Sequence, residues 1–352
     1  MRDPFFATLA LPLASVPSRG PDWSRGAYLA DVPHYRLEDR VRFYANTDPL
    51  AALLRTDLRS HVAIDLVDEY VRAVAVEVVP TPDDWSAVAG YLVVHLEATT
   101  DAPEIAALTQ LGRLARPATE DSERLLGSLA QRTAVDTDRW PLAPIARAPS
   151  LCLSGTPDDD SVGLVRWPGS TPTQRRLVDL VTMPAYGRQV PTPFELDVNR
   201  PTPSYLVAAS GSSVAAVRVR TVRDDHVAEM RTHWLDALLV ELTQHDTAIA
   251  LVERARDMVP ESSGGDWRKF EQRFRRWRTV SAWQASTDHP LEAALASFVR
   301  AEIRTDSLVS RVEAELADHA RAAVLRADEN LNRIALLLSA IAIVLTIVQI
   351  VR

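Results

Sequence analysis

Two histidines and two acidic residues lie close together near residue 230, and such side chains can bind a metal ion or transfer protons. They are Asp225, His226, Glu229 and His233. Offsets of three and four residues would bring the last three loosely onto one face of a helix. The spacing matches no established zinc motif, however. The pattern therefore favours the start of a helix with charged pairs over a metal or catalytic site.

The other candidate catalytic groups lack the partners that their chemistry needs. Asp158, Asp159 and Asp160 are consecutive, so they point in different directions and lack the spacing of a calcium loop. Cys152 lies in an apolar run, which favours an inert buried thiol over a nucleophile. The sequence contains no phosphate-binding loop and no Gly-x-Ser-x-Gly turn. It predicts no catalytic residue, cofactor or metal, although an active site built from distant residues stays open.

Basic and aromatic side chains alternate between Asp266 and Trp283. The stretch holds six basic and two acidic residues, and its aromatic residues have helical spacing. Such a helix could lie on an anionic membrane surface or bind a phosphate-bearing ligand. An aromatic core stripe with solvated flanks is the interpretation that the pattern favours. The residues that define this basic-aromatic surface are Trp267, Arg268, Lys269, Arg273, Arg275, Arg276 and Arg278.

The composition is that of a globular protein. Apolar residues make up 47% and charged residues 24% of 352 residues, which excludes a disordered chain. A single cysteine excludes an internal disulfide. The net charge of −8 argues against general affinity for nucleic acid, so no nucleic-acid partner is expected.

The first 222 residues predict an α/β or α+β domain. Strand-like runs occur at 71–79, 91–98 and 151–153, and 205–220 predicts a hairpin that turns at Ser210-Gly211-Ser212. Helical stretches are predicted at 105–115 and 122–133, and proline-rich loops at 136–149 and 184–204. Residues 5–16 predict a buried strand in preference to a signal peptide, because Asp3 and Pro12 interrupt the signal pattern.

The remainder of the chain predicts helices. One should run from about 224 to 258, a break follows at 260–265, and a second helix should run from 266 to about 286. A third should begin near Asp288 and Pro290 and continue unbroken to the end. The predicted segments are 1–222 (α/β domain), 223–287 (helical pair), 288–333 (stalk) and 334–351 (membrane helix).

The last segment predicts a membrane span. Residues 334–351 carry no charge, and 18 helical residues measure roughly 27 Å, close to the thickness of a hydrocarbon core. The alternative is a buried terminal helix. Arg321, Arg326 and Arg333 precede the run, which places the body in the cytoplasm by the positive-inside rule. We therefore expect a tail-anchored, single-pass protein of the inner membrane.

Small and polar residues form one stripe along this segment. A spacing of 3.5 residues suits packing of helices in a left-handed bundle, or lining of a hydrated pore. Chance is the alternative, because Ser and Thr can bond to carbonyls of their own helix. The residues of this seam are Asn332, Ala335, Ser339, Ala342, Thr346 and Gln349.

Residues 224–352 resemble the CorA-type divalent-cation transporters. The shared features are a helix pair broken by a loop and a long helix that runs into the membrane with polar residues at heptad spacing, here Asn332, Ser339 and Thr346. That family forms pentameric funnels, so the resemblance implies an oligomeric funnel. The family's Gly-Met-Asn motif and second membrane helix are missing from this sequence, so magnesium transport is not implied.

The resulting hypothesis is a homo-oligomeric membrane protein that acts as a pore or permeability effector. Its cytoplasmic domain would sense an unknown ligand or protein trigger, and its partners would be membrane lipid and further copies of itself. The alternative is a passive membrane tether for a binding domain or an unrecognised enzyme.

Overall fold

The computed structural model describes most of the α/β body and the helices that follow it. The described residues are 5–16, 19–26, 28–29, 58–81, 88–99, 104–116, 120–134, 148–155, 205–210, 213–218, 224–258, 264–284 and 290–351.

An eight-stranded sheet forms the centre of the body. Its strands are β1 (Phe6–Leu13), β2 (Ser24–Arg25), β3 (Ser60–Asp68), β4 (Val71–Pro80), β5 (Gly90–Ala98), β6 (Ser150–Gly155), β7 (Tyr205–Ser210) and β8 (Ser213–Arg218). The spatial order is β2-β3-β4-β5-β1-β6-β8-β7. Every neighbouring pair is antiparallel except β6 and β8. The predicted strands and the predicted hairpin are confirmed, and the first strand lies inside the sheet.

One face of the sheet is covered by two short helices. These are α1 (Glu104–Leu114) and α2 (Glu120–Arg132), as the sequence predicts. Alternate residues of the strands, such as Leu9, Val76 and Val94, form one hydrophobic cluster with Leu111 and Leu129 of the helices. Because side chains alternate along a strand, the intervening residues of β1, β4 and β5 face the opposite side.

The opposite face packs against the helices that follow the sheet. These are α3 (Asp224–Glu229), a π-helical turn (Met230–Trp234), α4 (Leu235–Asp257) and α6 (Pro290–Glu302). Trp234 and Leu238 share a second cluster with Tyr91 and Val93 of β5 and with Leu295 of α6. The body is therefore a sheet between two layers of helices.

Two further helices lie in the described part of the chain. They are α5 (Gly264–Gln284) and α7 (Thr305–Val351). The prediction of one unbroken terminal helix is wrong, because Arg304 has a left-handed backbone (φ 57°) between α6 and α7. Such a conformation interrupts a right-handed helix.

The chain divides into two compact units. The first contains residues 1–247 and 277–305, and the second contains 248–276 and 306–352. In the second unit the buried side chains include Leu251, Phe270, Phe274 and Val312. The four segments expected from the sequence stay a prediction.

The predicted membrane helix is wrong. No helix in the described part of the chain has the length and the apolar character that crossing a bilayer requires. The expected tail anchor, inner-membrane location and ion-transport role are overturned with it.

Candidate functional site

Polar side chains collect on the sheet face that packs against α4. Thr8 of β1 and His95 of β5 are directly opposite each other in the ladder, as are the neighbouring Phe6 and Glu97. Glu77 lies on the adjacent strand β4. Thr8, Glu77 and His95 are each at most 1% exposed. Buried polar groups in a sheet require specific partners, so this face differs from an ordinary apolar core.

Arg59 joins the sheet to α4. It is 1% exposed and directly precedes β3. Its Nε donates to Glu77 Oε2 over 2.9 Å, and its Nη2 contacts the same oxygen. Its Nη1 donates to Asp236 Oδ1 of α4 over 2.9 Å. One guanidinium therefore bonds to two buried carboxylates and offsets part of their charge, which supports their burial.

His95 is neutral and only partly satisfied. Its Nδ1 lies 3.1 Å from Thr8 Oγ1, while its Nε2 has no hydrogen-bond partner among the described residues. Burial holds the pKa of His95 well below its usual value, and the positive charges of Arg231 and Arg59 act in the same direction. Either ring nitrogen can carry the proton, because the Thr8 hydroxyl can donate or accept.

Tyr28 covers the His95 ring. The two rings are stacked with centroids 4.8 Å apart and planes inclined by 27°. A second ring, that of His61, lies in an edge-to-face arrangement with Tyr28, with the ring centroids 6.0 Å apart and the planes inclined by 62°. The Tyr28 backbone N–H donates to Glu77 Oε1. Burial raises the pKa of the Tyr28 hydroxyl, and a hydrogen bond from Arg231 opposes that shift, so the phenol is protonated at neutral pH.

Arg231 completes the cluster from the helical side. It lies on the π-helical turn, and such turns occur frequently at functional sites. Its Nη2 donates to Glu97 Oε1 over 2.8 Å, and its Cζ lies 5.9 Å above the centroid of the Phe6 ring. Its Nε is buried without a hydrogen-bond partner among the described residues. Arg231 therefore keeps one unused donor inside the cluster.

The cluster contains one hydroxyl–imidazole pair. Thr8 and His95 have the geometry of a hydroxyl–imidazole pair, but both are fully buried. No carboxylate bonds to His95 in the described residues, so the ring lacks the orienting third group of a catalytic triad. The cluster offers aromatic faces and two buried nitrogen atoms, His95 Nε2 and Arg231 Nε, that have no hydrogen-bond partner among the described residues.

The histidine–acid group near residue 230 lies at the start of the second helical layer. His226 Nδ1 is 3.2 Å from Asp225 Oδ1, and Glu229 ends α3 while His233 lies in the π-helical turn. Among the described residues, no group of three or more His, Cys, Asp or Glu side chains could hold a metal ion. Asp158, Asp159 and Asp160 lie outside the described residues.

The basic-aromatic surface lies on α5. Phe270, Phe274 and Trp277 are at most 3% exposed, so most of the aromatic stripe is core. Trp267 is half-buried and stacks on His319 of α7, with centroids 4.0 Å apart. The basic residues Arg268, Lys269, Arg273, Arg275, Arg276 and Arg278 are exposed or half-exposed. Their role as a binding surface stays a prediction.

The seam lies along the exposed end of α7. Asn332, Ala335, Ser339, Ala342 and Gln349 are exposed, and Thr346 belongs to the same helix. The role of the seam, as a pore lining or a packing surface, stays a prediction.

Sequence reasoning missed the residues of the buried cluster. The available signal was a charged or polar residue inside a buried strand, namely Glu77 in VRAVAVEVVP and His95 in GYLVVHLEA. Arg59, Tyr28 and Arg231 carried no comparable signal, because they reach the cluster from distant parts of the chain.

Comparisons of the chain with protein-family models, with curated proteins and with solved structures found no match. The resemblance to CorA-type transporters stays an expectation from the sequence.

Proposed function

We propose that the protein is a homo-oligomeric binding protein, in which the α/β body recognises a ligand or partner and the apolar end of α7 holds the copies together. The observation that carries the proposal is the exposure of this helix end. Twelve large apolar side chains between Val324 and Ile347 are 53–70% exposed. Contiguous apolar surface of this kind marks an interaction site.

The size of the surface suits a stable interface. At about 80 Å² for each large apolar side chain, the helix end offers on the order of 1,000 Å² around its whole circumference, of which each neighbouring helix would cover the part that faces it. A standard protein–protein interface buries about 800 Å² on each partner. A second copy is the occupant that this surface fits, because two identical apolar helices bury equal areas on each other.

The seam gives a reason for helix-to-helix packing. Ala335, Ser339 and Ala342 have small side chains and share one side of the helix, which lets two backbones approach closely. Leu337 and Val344 lie on the opposite side of the same turns. Close packing along the small residues would cover the flanking leucines and isoleucines of both helices.

The test compares two matched charge substitutions in the full-length chain. Light scattering coupled to gel filtration, over a range of concentrations, should give a discrete oligomer for the wild type. Ala342→Glu introduces a charge into the seam and should give monomers, whereas Val344→Glu, on the far side, should retain the oligomer. A wild type that stays monomeric at every concentration, or that associates with lipid vesicles instead of itself, would overturn the proposal. Equal loss in both variants would rule out the seam as the packing face.

A further inference from the structure

A second line of apolar residues runs beside the seam along the exposed end of α7. Every side chain that the structure describes from Ala323 onward on this helix is exposed. Apolar residues recur there at alternating steps of three and four, which is the heptad spacing of a coiled coil. We call this line the ridge, and its residues are Val324, Ala327, Leu331, Ile334, Leu338, Ile341 and Leu345. The larger side chains of the ridge are 53–63% exposed, so the ridge is open to contact with another copy.

Charged residues stay off the ridge. A helix turns about 100° per residue, and by that measure Arg326, Glu329 and Arg333 lie roughly 100° or more around the helix from the middle of the ridge. Asp328 lies in line with the seam, which therefore begins only at Asn332. The ridge keeps its spacing over about three heptads, through a stretch that is otherwise polar, and this is typical of a packing face.

The seam and the ridge lie about a quarter of a turn apart on the helix. At about 100° per residue, the middle of the seam falls roughly 90° from the middle of the ridge. One neighbouring helix covers only the side that faces it, so a pair of helices would leave much of the second apolar face in water. Two neighbours cover both faces. A closed ring in which each member meets its two neighbours at about 90° has four members.

The two faces fit each other better than either fits itself. Ala335 and Ala342 make the seam shallow, whereas leucine and isoleucine side chains project from the ridge. Large residues that pack opposite small ones interdigitate without voids. Leucine that alternates with isoleucine along a heptad, as in the ridge from Leu331 to Leu345, also favours three or four strands over two.

We propose that four copies of the chain close into a parallel ring through α7, in which the seam of each copy packs against the ridge of the next. This inference rests on the proposed function, because it names the number of copies and the two faces that join them. Contacts between two different faces generate a closed ring when the rotation completes a full turn. The side of the helix that carries Arg326, Glu329 and Arg333 faces outward, where charges stay hydrated.

The first experiment measures the mass of the full-length chain by light scattering and native mass spectrometry. The wild type should have four times the mass of 38.9 kDa, or about 156 kDa. Ile334→Glu puts a charge in the middle of the ridge and should give monomers. Ile347→Glu is the matched control, because the two isoleucines are 53% and 55% exposed but Ile347 lies on the outward side. That variant should keep the mass of four copies.

A mixing experiment tests which faces meet. Ser339→Glu disrupts the seam and keeps the ridge, whereas Ile334→Glu disrupts the ridge and keeps the seam. Each variant should be monomeric by itself, but their equimolar mixture holds one intact seam and one intact ridge. It should therefore form a pair of twice 38.9 kDa, or about 78 kDa. The double variant, mixed with either single variant, should form no pair.

The outcomes separate this proposal from the proposed function on which it rests. A wild type with the mass of two copies, or of any number above one other than four, would overturn the ring and leave self-association standing, whereas a monomeric wild type would contradict both. Failure of the mixture to pair, or equal loss in Ile334→Glu and Ile347→Glu, would overturn the assignment of the faces. Since Ile334, Ser339 and Ile347 are exposed in the single chain, the substitutions should leave its fold intact, which circular dichroism verifies.

Discussion

Replacement of Arg59 by methionine should strongly destabilise the α/β body. The substitution keeps an unbranched apolar side chain but removes the cation that bridges Glu77 and Asp236, which are 0% and 6% exposed. Removing one partner of a buried ion pair costs about 3–5 kcal/mol, because the remaining charge is left uncompensated. That cost is a large share of a total stability of about 5–15 kcal/mol.

Arg72→Met provides the matched control. Arg72 pairs with Asp65 over 2.8 Å, but the two side chains are 46% and 67% exposed. An exposed pair contributes about 0–1 kcal/mol. Urea unfolding followed by far-UV circular dichroism measures both variants. If Arg59→Met costs no more than Arg72→Met, the assignment of Arg59 as a buried bridge is wrong.

A triple substitution separates charge burial from packing. Changing Arg59, Glu77 and Asp236 together to methionine or leucine removes every charge of the triad. Apolar replacement of a whole buried triad is often neutral or stabilising. The triple variant should therefore recover most of the free energy lost in Arg59→Met. A triple variant as unstable as the single one would show that shape, and not charge, governs this position.

Three further predictions concern other parts of the body. Burial raises the pKa of the Asp246 carboxyl from 3.8 to about 6, although a hydrogen bond from Tyr91 lowers it in part. Between pH 4 and 6 the folded protein therefore holds one proton more than the unfolded chain. Its free energy of unfolding should fall by about 3 kcal/mol as the pH rises through that window. Asp246→Asn should flatten this profile in urea titrations, and an unchanged slope would refute the assignment. Burial raises the pKa of the Cys152 thiol. A thiol reagent should therefore modify Cys152 only as fast as the protein unfolds, and rapid labelling of the native protein would contradict that expectation. A Cβ at Gly90 would lie 2.8 Å from the Val79 carbonyl oxygen, whereas one at Gly127 in α2 would meet nothing within 4 Å. Gly90→Ala should therefore lower the melting temperature, and Gly127→Ala should raise it by stabilising the helix by about 1 kcal/mol. The reverse order of melting temperatures would be inconsistent with the packing.

Local patterns predicted most of the fold. The apolar runs at 71–79 and 91–98 form neighbouring strands, and the hairpin at 205–220 forms β7 and β8. Residues 5–16 form a strand inside the sheet, as predicted. These predictions hold because strand and helix preferences depend on residues within one or two turns of each other.

The errors lie where local pattern is insufficient. The break between α6 and α7 depends on the left-handed backbone of Arg304, and arginine carries no local signal for that conformation. The membrane span was predicted from apolarity alone, and the structure contains no helix in its described part that qualifies. The π-helical turn that carries Arg231 was likewise not predictable, since its residues have an ordinary helical pattern.

The sequence by itself determined the α/β body, the helical second half and the apolar end of α7, because each depends on the periodicity of neighbouring residues. Only the tertiary structure decided which polar residues meet. Thr8 and His95 are 87 residues apart in the chain, and Arg59 and Asp236 are 177 apart. The order of strands in the sheet and the packing of α4 on one face bring them within hydrogen-bonding distance. Such pairings are set by the closure of long loops and by burial, and one sequence carries no local record of either.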